Sequence, residues 1–187
     1  MDSKILWIDT ETTGLIPSKH GIISVAAIID IDGQVIDKFE LEMKPTGRVS
    51  DKRALKINGY TYGKIQNLKP WEAVFPEFIH RINIKYSSEK FILGGQNVSF
   101  DDKFIRSWAD CCDAAAYWDY LVEGEIDTMK ISKQFLELES HKLGNLCKHF
   151  GVPLENAHNA MADIEATRKL YYVMMEKLEE RKQLCLE

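Results

Sequence analysis

Apolar residues fall in two rhythms along this chain, continuous or alternating runs in the first third and helical spacings later. The segment "KILWID" predicts a first strand. "GIISVAAIID", from Gly21 to Asp30, predicts a second that is buried along nearly its whole length. Asp32-Gly33 is a hairpin signal, and "QVIDKFELEMKP" after it alternates Val35, Phe39, Leu41 and Met43 with polar residues until Pro45 ends it. Three antiparallel strands in a meander follow from this pattern. Residues 44–69 predict a loop with a short helix around Asp51 to Lys56. "PWEAVFPEFIHRI" places Trp71, Val74, Phe75, Phe78, Ile79 and Ile82 at helical spacings, with Pro70 in a first turn and Pro76 predicting a kink or two helical pieces.

Further along, "KFILGGQNV" predicts a short buried strand. "SFDDKFIRSWADCCDA" predicts a helix with Ser99 and Asp102 as its capping box. "EIDT" is a short strand, "TMKISKQFLEL" and "KLGNLCKHFGV" are helices, and Gly151 before Pro153 stops the second. From Asn159 a long helix carries Ala166, Leu170, Val173 and Met174 on its apolar positions, and its charge-rich last dozen residues are expected to fray. A meander followed by strands alternating with helices implies parallel additions through helical crossovers, hence an α/β fold.

At 187 residues the chain suits one well-buried domain, and 45% hydrophobic with 28% charged residues is ordinary globular composition. The net charge of -5 excludes a global basic field for gripping long nucleic acid, so any polyanion must be met locally, for instance by a metal ion in a carboxylate cluster. Four cysteines without a C-x-x-C pair fit a reducing compartment, and Cys111 and Cys112 are expected to be buried. No apolar run approaches the length needed to span a bilayer, so a cytoplasmic protein with no membrane contact is expected.

Chemistry gathers at strand ends. Asp9 and Glu11 lie two apart in "ILWIDTETTGL", so on a strand they project together and repel, which raises a carboxyl pKa or recruits a metal. A solvated turn is the rival explanation. Asp101, in "QNVSFDDKF", sits where the fourth strand meets its helix, the end at which open α/β sheets gather ligands. Asp102 is assigned to capping instead. In "HNAMAD", His158 and Asp163 are five apart, about 140° around a helix. They serve one site only if His158 lies on the loop before a helix that begins at Asn159 and carries Asp163 in its first turns. His20, His80, His141 and His149 are expected to be structural.

"DTETTG", "NVSFD" and "HNAMAD", in this order, resemble the DEDDh 3′-to-5′ exonuclease family, which includes the proofreading epsilon subunit of bacterial DNA polymerase III, RNase T and oligoribonuclease. "ALKINGYT", "DTMK" and "HKLGNLCKHFGV" also resemble family segments, so the likeness spans nearly the whole chain. It implies one exonuclease domain over residues 1–187 with an RNase H-like mixed sheet of about five strands, three antiparallel and then two parallel, flanked by helices. It further implies that Asp9, Glu11, Asp101 and Asp163 hold two divalent ions, Mg²⁺ or Mn²⁺, with His158 as general base. Thr12, Thr13 and Leu15 would surround the terminal nucleotide and Phe100 would lie against a base, with Asn58 and Asn97 as further substrate contacts; for Phe100 and Leu15 core packing is an equal alternative. Many relatives have His where this chain has Gln96 or Asn58.

The expected activity is hydrolysis at the 3′ end of single-stranded nucleic acid, DNA first and RNA as the alternative. A polymerase or repair partner and a homodimer are left open. Two other classes compete. One is a non-catalytic binding module on the same fold, which loss of a ligand would have favoured; the other is a zinc-binding domain built on His141, Cys147 and His149, which lacks a fourth ligand. Trp108, Tyr117, Trp118 and Tyr120 are expected to be mostly core, with strand binding or a subunit contact as the remainder.

Overall fold

In a computed structural model, which describes residues 4–45, 50–83, 90–155 and 158–184, five strands form one mixed sheet in the order β3-β2-β1-β4-β5. Strands β1 (Lys4–Thr12), β2 (Ile22–Ile31) and β3 (Gln34–Glu42) are the antiparallel meander, its hairpin turning through left-handed Asp32 and Gly33. Strands β4 (Phe91–Gly95) and β5 (Val122–Asp127) add in parallel beside β1. The helices α1 (Lys52–Ile57), α2 (Tyr62–Gln66) and α3 (Trp71–Asn83) precede β4. Helices α4 (Ser99–Cys111) and α5 (Ala115–Leu121) precede β5, and α6 (Thr128–Phe135), α7 (Leu143–Phe150) and α8 (Ala160–Leu184) follow it.

Strand parity divides the core. Even-numbered Leu6 and Ile8 face a cluster with Phe78 and Ile82 of α3 and Phe104, Ile105 and Trp108 of α4. Odd-numbered Ile5 and Trp7 face the opposite way, against Ala160 and Ile164 of α8. Asp9 and Glu11 continue the odd series, so the face that packs on α8 is also the one that presents both carboxylates. β1 and β4 can lie side by side because Gly94 has no side chain: a Cβ there would come within 2.5 Å of the Trp7 ring. The β1–β4 pairing ends at Trp7–Gly94, so the stretch of β1 that carries Asp9 and Glu11 runs on without a β4 partner.

Several expectations are corrected. Pro76 lies inside α3, which runs through it as one helix, and the loop at 44–69 contains a second short helix, α2, capped by Thr61; residues 46–49 of that loop lie outside the described residues. Ser99 and Asp102 form no capping box. The cap position falls on Val98, which makes no side-chain cap, and Asp102 accepts hydrogen bonds from Trp118 Nε1 at 2.9 Å and Arg106 Nε at 2.7 Å. Cys111 is exposed and Cys112 half-buried, because the buried stripe of α4 passes through Phe104, Ile105, Trp108 and Ala109 and leaves Cys111 to one side. The last helix holds to Leu184; Cys185 and the two residues after it lie outside the described residues. Trp108 and Trp118 are core, Tyr117 packs at its margin, and Tyr120 is exposed.

Candidate active site

Three acidic side chains converge at the carboxyl end of β1. Asp9, Glu11 and Asp163 each present an oxygen, and these atoms lie within 4.8 Å of one another. Two come from β1 by parity and the third from the first turn of α8, which packs on the same face. Asn159 starts that helix, its Oδ1 accepting from the Ala162 N–H at 3.0 Å. Among the described residues this is the only such grouping of potential metal ligands.

Asp101 arrives from the other side of the sheet. Its carboxylate is buried, and Oδ1 accepts from the Thr10 N–H at 2.9 Å and the Thr10 hydroxyl at 2.7 Å. Because β4 has ended, the Thr10 amide has no strand partner on that side, and Asp101 takes that place. Thr10 is the residue between Asp9 and Glu11, so the same tripeptide presents two carboxylates to one face and anchors a third from the other.

The site resists its own charge. Burial lifts the Asp9 carboxyl well above the ordinary carboxylate range, and the charges of Asp101, Asp163 and Glu11 lift it further. Glu11 is pushed up to about 7 by burial and then by Asp163, against a hydrogen bond from Asn58 that favours the anion. Asp101 also rises to about 7 through burial, against the two bonds from Thr10. Asp163 is raised by burial, and its Oδ1 is a buried oxygen with no hydrogen-bond partner. Hard carboxylate oxygens, close together, desolvated and with one oxygen orphaned, make a donor set that fits Mg²⁺ or Mn²⁺.

His158 stands on the turn before α8, exposed and in the left-handed region with φ 70°. Its backbone N–H donates to Asp163 Oδ2 at 3.1 Å, so the turn that carries the imidazole is tied to the carboxylate group. His158 and Glu11 line one cleft of about 210 Å³.

The six expected substrate contacts separate. Asn58 lines that cleft, and its Nδ2 donates to the Thr12 carbonyl at 3.1 Å. Thr12 and Thr13 are buried, with hydroxyls bonded to the Gly14 carbonyl at 2.7 Å and the Gly21 N–H at 2.9 Å. Leu15 is 76% exposed on the loop after β1. Asn97 is left-handed, and its N–H donates to Asp127 Oδ1 at 3.0 Å. Phe100 is half-buried with its ring 4.9 Å from that of Phe104. Sequence reasoning missed Thr10, and also Glu40, Glu42, Tyr60 and Lys64, which line the same cleft. The signal for the two glutamates was alternation on β3, legible only once its register was known.

The rival zinc set is dispersed: His141 Nδ1 is 2.8 Å from Ser132 Oγ, Cys147 is buried beside Leu146, and His149 lies edge-on to Phe150. No helix among the described residues is long and apolar enough to cross a membrane.

Comparison with known proteins gives the family and the fold. Residues 6–171 match the family model described as exonuclease, of the RNase T type. A PolC-type DNA polymerase III of Thermotoga petrophila is 29% identical over 171 residues, covering 91% of this chain and 12% of that protein. The PolC-type polymerase of Streptococcus pneumoniae serotype 2 is 30% identical over 174 residues, covering 92% and 11%. Among solved structures, an exonuclease I matches with a TM-score of 0.76 and 26% identity over 91% of this chain and 40% of its own. The zinc-bound complex of Escherichia coli exonuclease I with single-stranded DNA matches with a TM-score of 0.76 and 25% identity over 95% and 41%. The chain therefore spans about an eighth of the curated relatives' length and under half of these solved chains.

Proposed function

The chain belongs to the DEDDh family of 3′-to-5′ exonucleases, and from that premise we propose that it removes mononucleotides from the 3′ end of single-stranded DNA. The observation that carries this reading is the convergence of Asp9, Glu11 and Asp163 within 4.8 Å, with Asp101 pinned beside them by Thr10. Single-stranded DNA is chosen because the solved relative binds it and the curated relatives are DNA polymerases. For the same reason a polymerase or repair assembly is included among the partners.

Asp9, Glu11 and Asp163, with the second oxygen of Asp101, would hold a pair of Mg²⁺ or Mn²⁺ ions. Once bound, such ions supply positive charge to the attacking and leaving oxygens of the phosphodiester. The chain's own residues do the rest. His158, exposed at the cleft and tethered through its backbone to Asp163, takes the proton of the attacking water. The water oxygen bonds to phosphorus as the P–O3′ bond breaks, the departing 3′ oxygen takes up a proton from solvent while His158 gives its own to solvent, and a 5′-mononucleotide leaves. Asn58 holds the end of β1 through the Thr12 carbonyl and favours the Glu11 anion, which offsets part of the upward push from burial and Asp163.

The test is a time course on 5′-labelled DNA and RNA single strands of identical sequence with Mg²⁺, Mn²⁺ or chelator. A metal-dependent ladder that shortens DNA from its 3′ end supports the proposal. Faster shortening of RNA moves the substrate to RNA, and intact strands under every metal favour a binding module.

A further inference from the structure

The cleft beside the carboxylates continues across the sheet. Asp9 pairs with Ala26 and Ala26 with Glu40, while Glu11 pairs with Ser24 and Ser24 with Glu42, so carboxylates from β1 and β3 share one face. Glu40 and Glu42 stand outside the group of three that a metal would bind, and each has its own donor. Ser24 Oγ donates to Glu40 Oε1 at 2.6 Å. Glu42 Oε1 accepts from the Tyr60 hydroxyl at 2.6 Å and from Lys64 Nζ at 2.7 Å. Lys64 is the one Lys or Arg among the described residues lining this cleft, which it shares with Glu11 and His158.

We propose that Lys64 receives a backbone phosphate of the bound strand, held ready for it by Tyr60 and Glu42. The inference rests on the exonuclease reading above and adds a residue to it. A polyanion that reaches Glu11 through this cleft passes Glu40 and Glu42, whose charge a metal held by the other carboxylates leaves in place, and among the described residues Lys64 is the one Lys or Arg lining that path. Its ammonium has three N–H donors, of which one goes to Glu42, leaving two for phosphate oxygens. A surface lysine ordinarily loses much rotamer freedom when it grips a ligand. Here Nζ already stands 4.2 Å from the centre of the Tyr60 ring and against Glu42, so much of that ordering is in place before the strand arrives. The side chain is still 52% exposed, which leaves room for the phosphate. A bare surface ion pair has no such relation to the strand, and the two cases differ in what salt does.

The experiment is fluorescence anisotropy of a labelled single-stranded DNA at fixed Ca²⁺, titrated at several salt concentrations, for the unaltered chain, Lys64→Met, Lys64→Gln, Lys64→Arg and the remote control Lys177→Met. Each phosphate contact contributes about 0.7 to the slope of log affinity against log salt on single strands. Lys64→Met and Lys64→Gln are expected to flatten the slope by about that amount and to weaken binding several-fold at low salt. Lys64→Arg and Lys177→Met are expected to keep it. Unchanged slopes in both neutral variants, or an equal loss in Lys177→Met, overturn the proposal, as does an unaltered chain that binds no strand. Turnover with Mg²⁺ is measured alongside: a ladder with unchanged slopes removes the Lys64 contact alone. A flattened slope without any ladder removes the exonuclease reading and keeps the contact.

Discussion

Glu11→Gln should make the metal-free protein more stable at pH 8 while ending its nuclease activity. In the folded chain burial and the Asp163 charge push the Glu11 carboxyl from 4.5 up to about 7. Because the folded value lies above the unfolded one, this group's favourable contribution is complete below pH 4.5 and is lost as pH climbs through 7. At about 1.4 kcal/mol per pH unit, ionised Glu11 costs the fold about 3 kcal/mol at pH 8. Water reaches part of the side chain, so the expected gain from removing the charge is about 2 kcal/mol. Glutamine retains the length and an acceptor for the Asn58 amide, so packing changes little. The assay is urea unfolding in chelator at pH 8 and pH 4.5, comparing the two chains at each. The gain should appear at pH 8 and shrink to a few tenths of a kcal/mol at pH 4.5. A variant no more stable than the parent at pH 8, or equally shifted at both pH values, would refute the claim that Glu11 sits in a repulsive, desolvated carboxylate group.

Three further outcomes are expected. Asp9→Ala and Asp163→Ala should abolish shortening of labelled strands while far-UV circular dichroism stays that of a folded protein; retained turnover would remove either residue from the site. His158→Ala should lower kcat by about 10²–10⁴ and, at saturating metal, make the acid-side limb of the pH–rate profile shallower, leaving only the limb that metal ligation imposes, because a general base must be unprotonated to act; an unaltered rate and profile would exclude His158 as the base. Asp102→Ala should cost about 1–3 kcal/mol in urea unfolding by leaving the buried Trp118 N–H without its acceptor, with the rate little affected; loss of all activity would mean that Asp102, not Asp101, belongs to the site.

Where apolar pattern decides structure, the fold was legible. β1 to β4 are apolar runs or alternations, and the long helices are periodic stripes with stops such as left-handed Gly151. β5 was read too short because "VEGE" lies on a sheet edge with its polar residues exposed, leaving no hydrophobic run to see. The short helices α2 and α5 lack a full amphipathic period. Asp102 misled because S-x-x-D satisfies a local rule, whereas its real partner, Trp118, is supplied by packing between α4 and α5. The site divides along the same line. Asp9 and Glu11 follow from strand parity and Asp101 from a strand end, all local facts. Thr10's hold on Asp101 depends on where the β1–β4 pairing ends, and the approach of Glu40 and Glu42 depends on register across three strands. Neither is written in any single segment.

The measurement that bears on the carboxylate group itself is a calorimetric titration of Mn²⁺ into the protein at pH 6.5 in two buffers of different ionisation enthalpy, with Asp163→Asn beside it. Glu11 and Asp101 hold protons up to about pH 7 in the metal-free fold, so ligation must displace them. If Asp9, Glu11, Asp101 and Asp163 hold the metal, binding releases about one proton or more per chain, the heat differs between buffers by that count, and Asp163→Asn weakens binding at least tenfold. Absence of binding, or binding that neither releases protons nor notices the loss of Asp163, would contradict it.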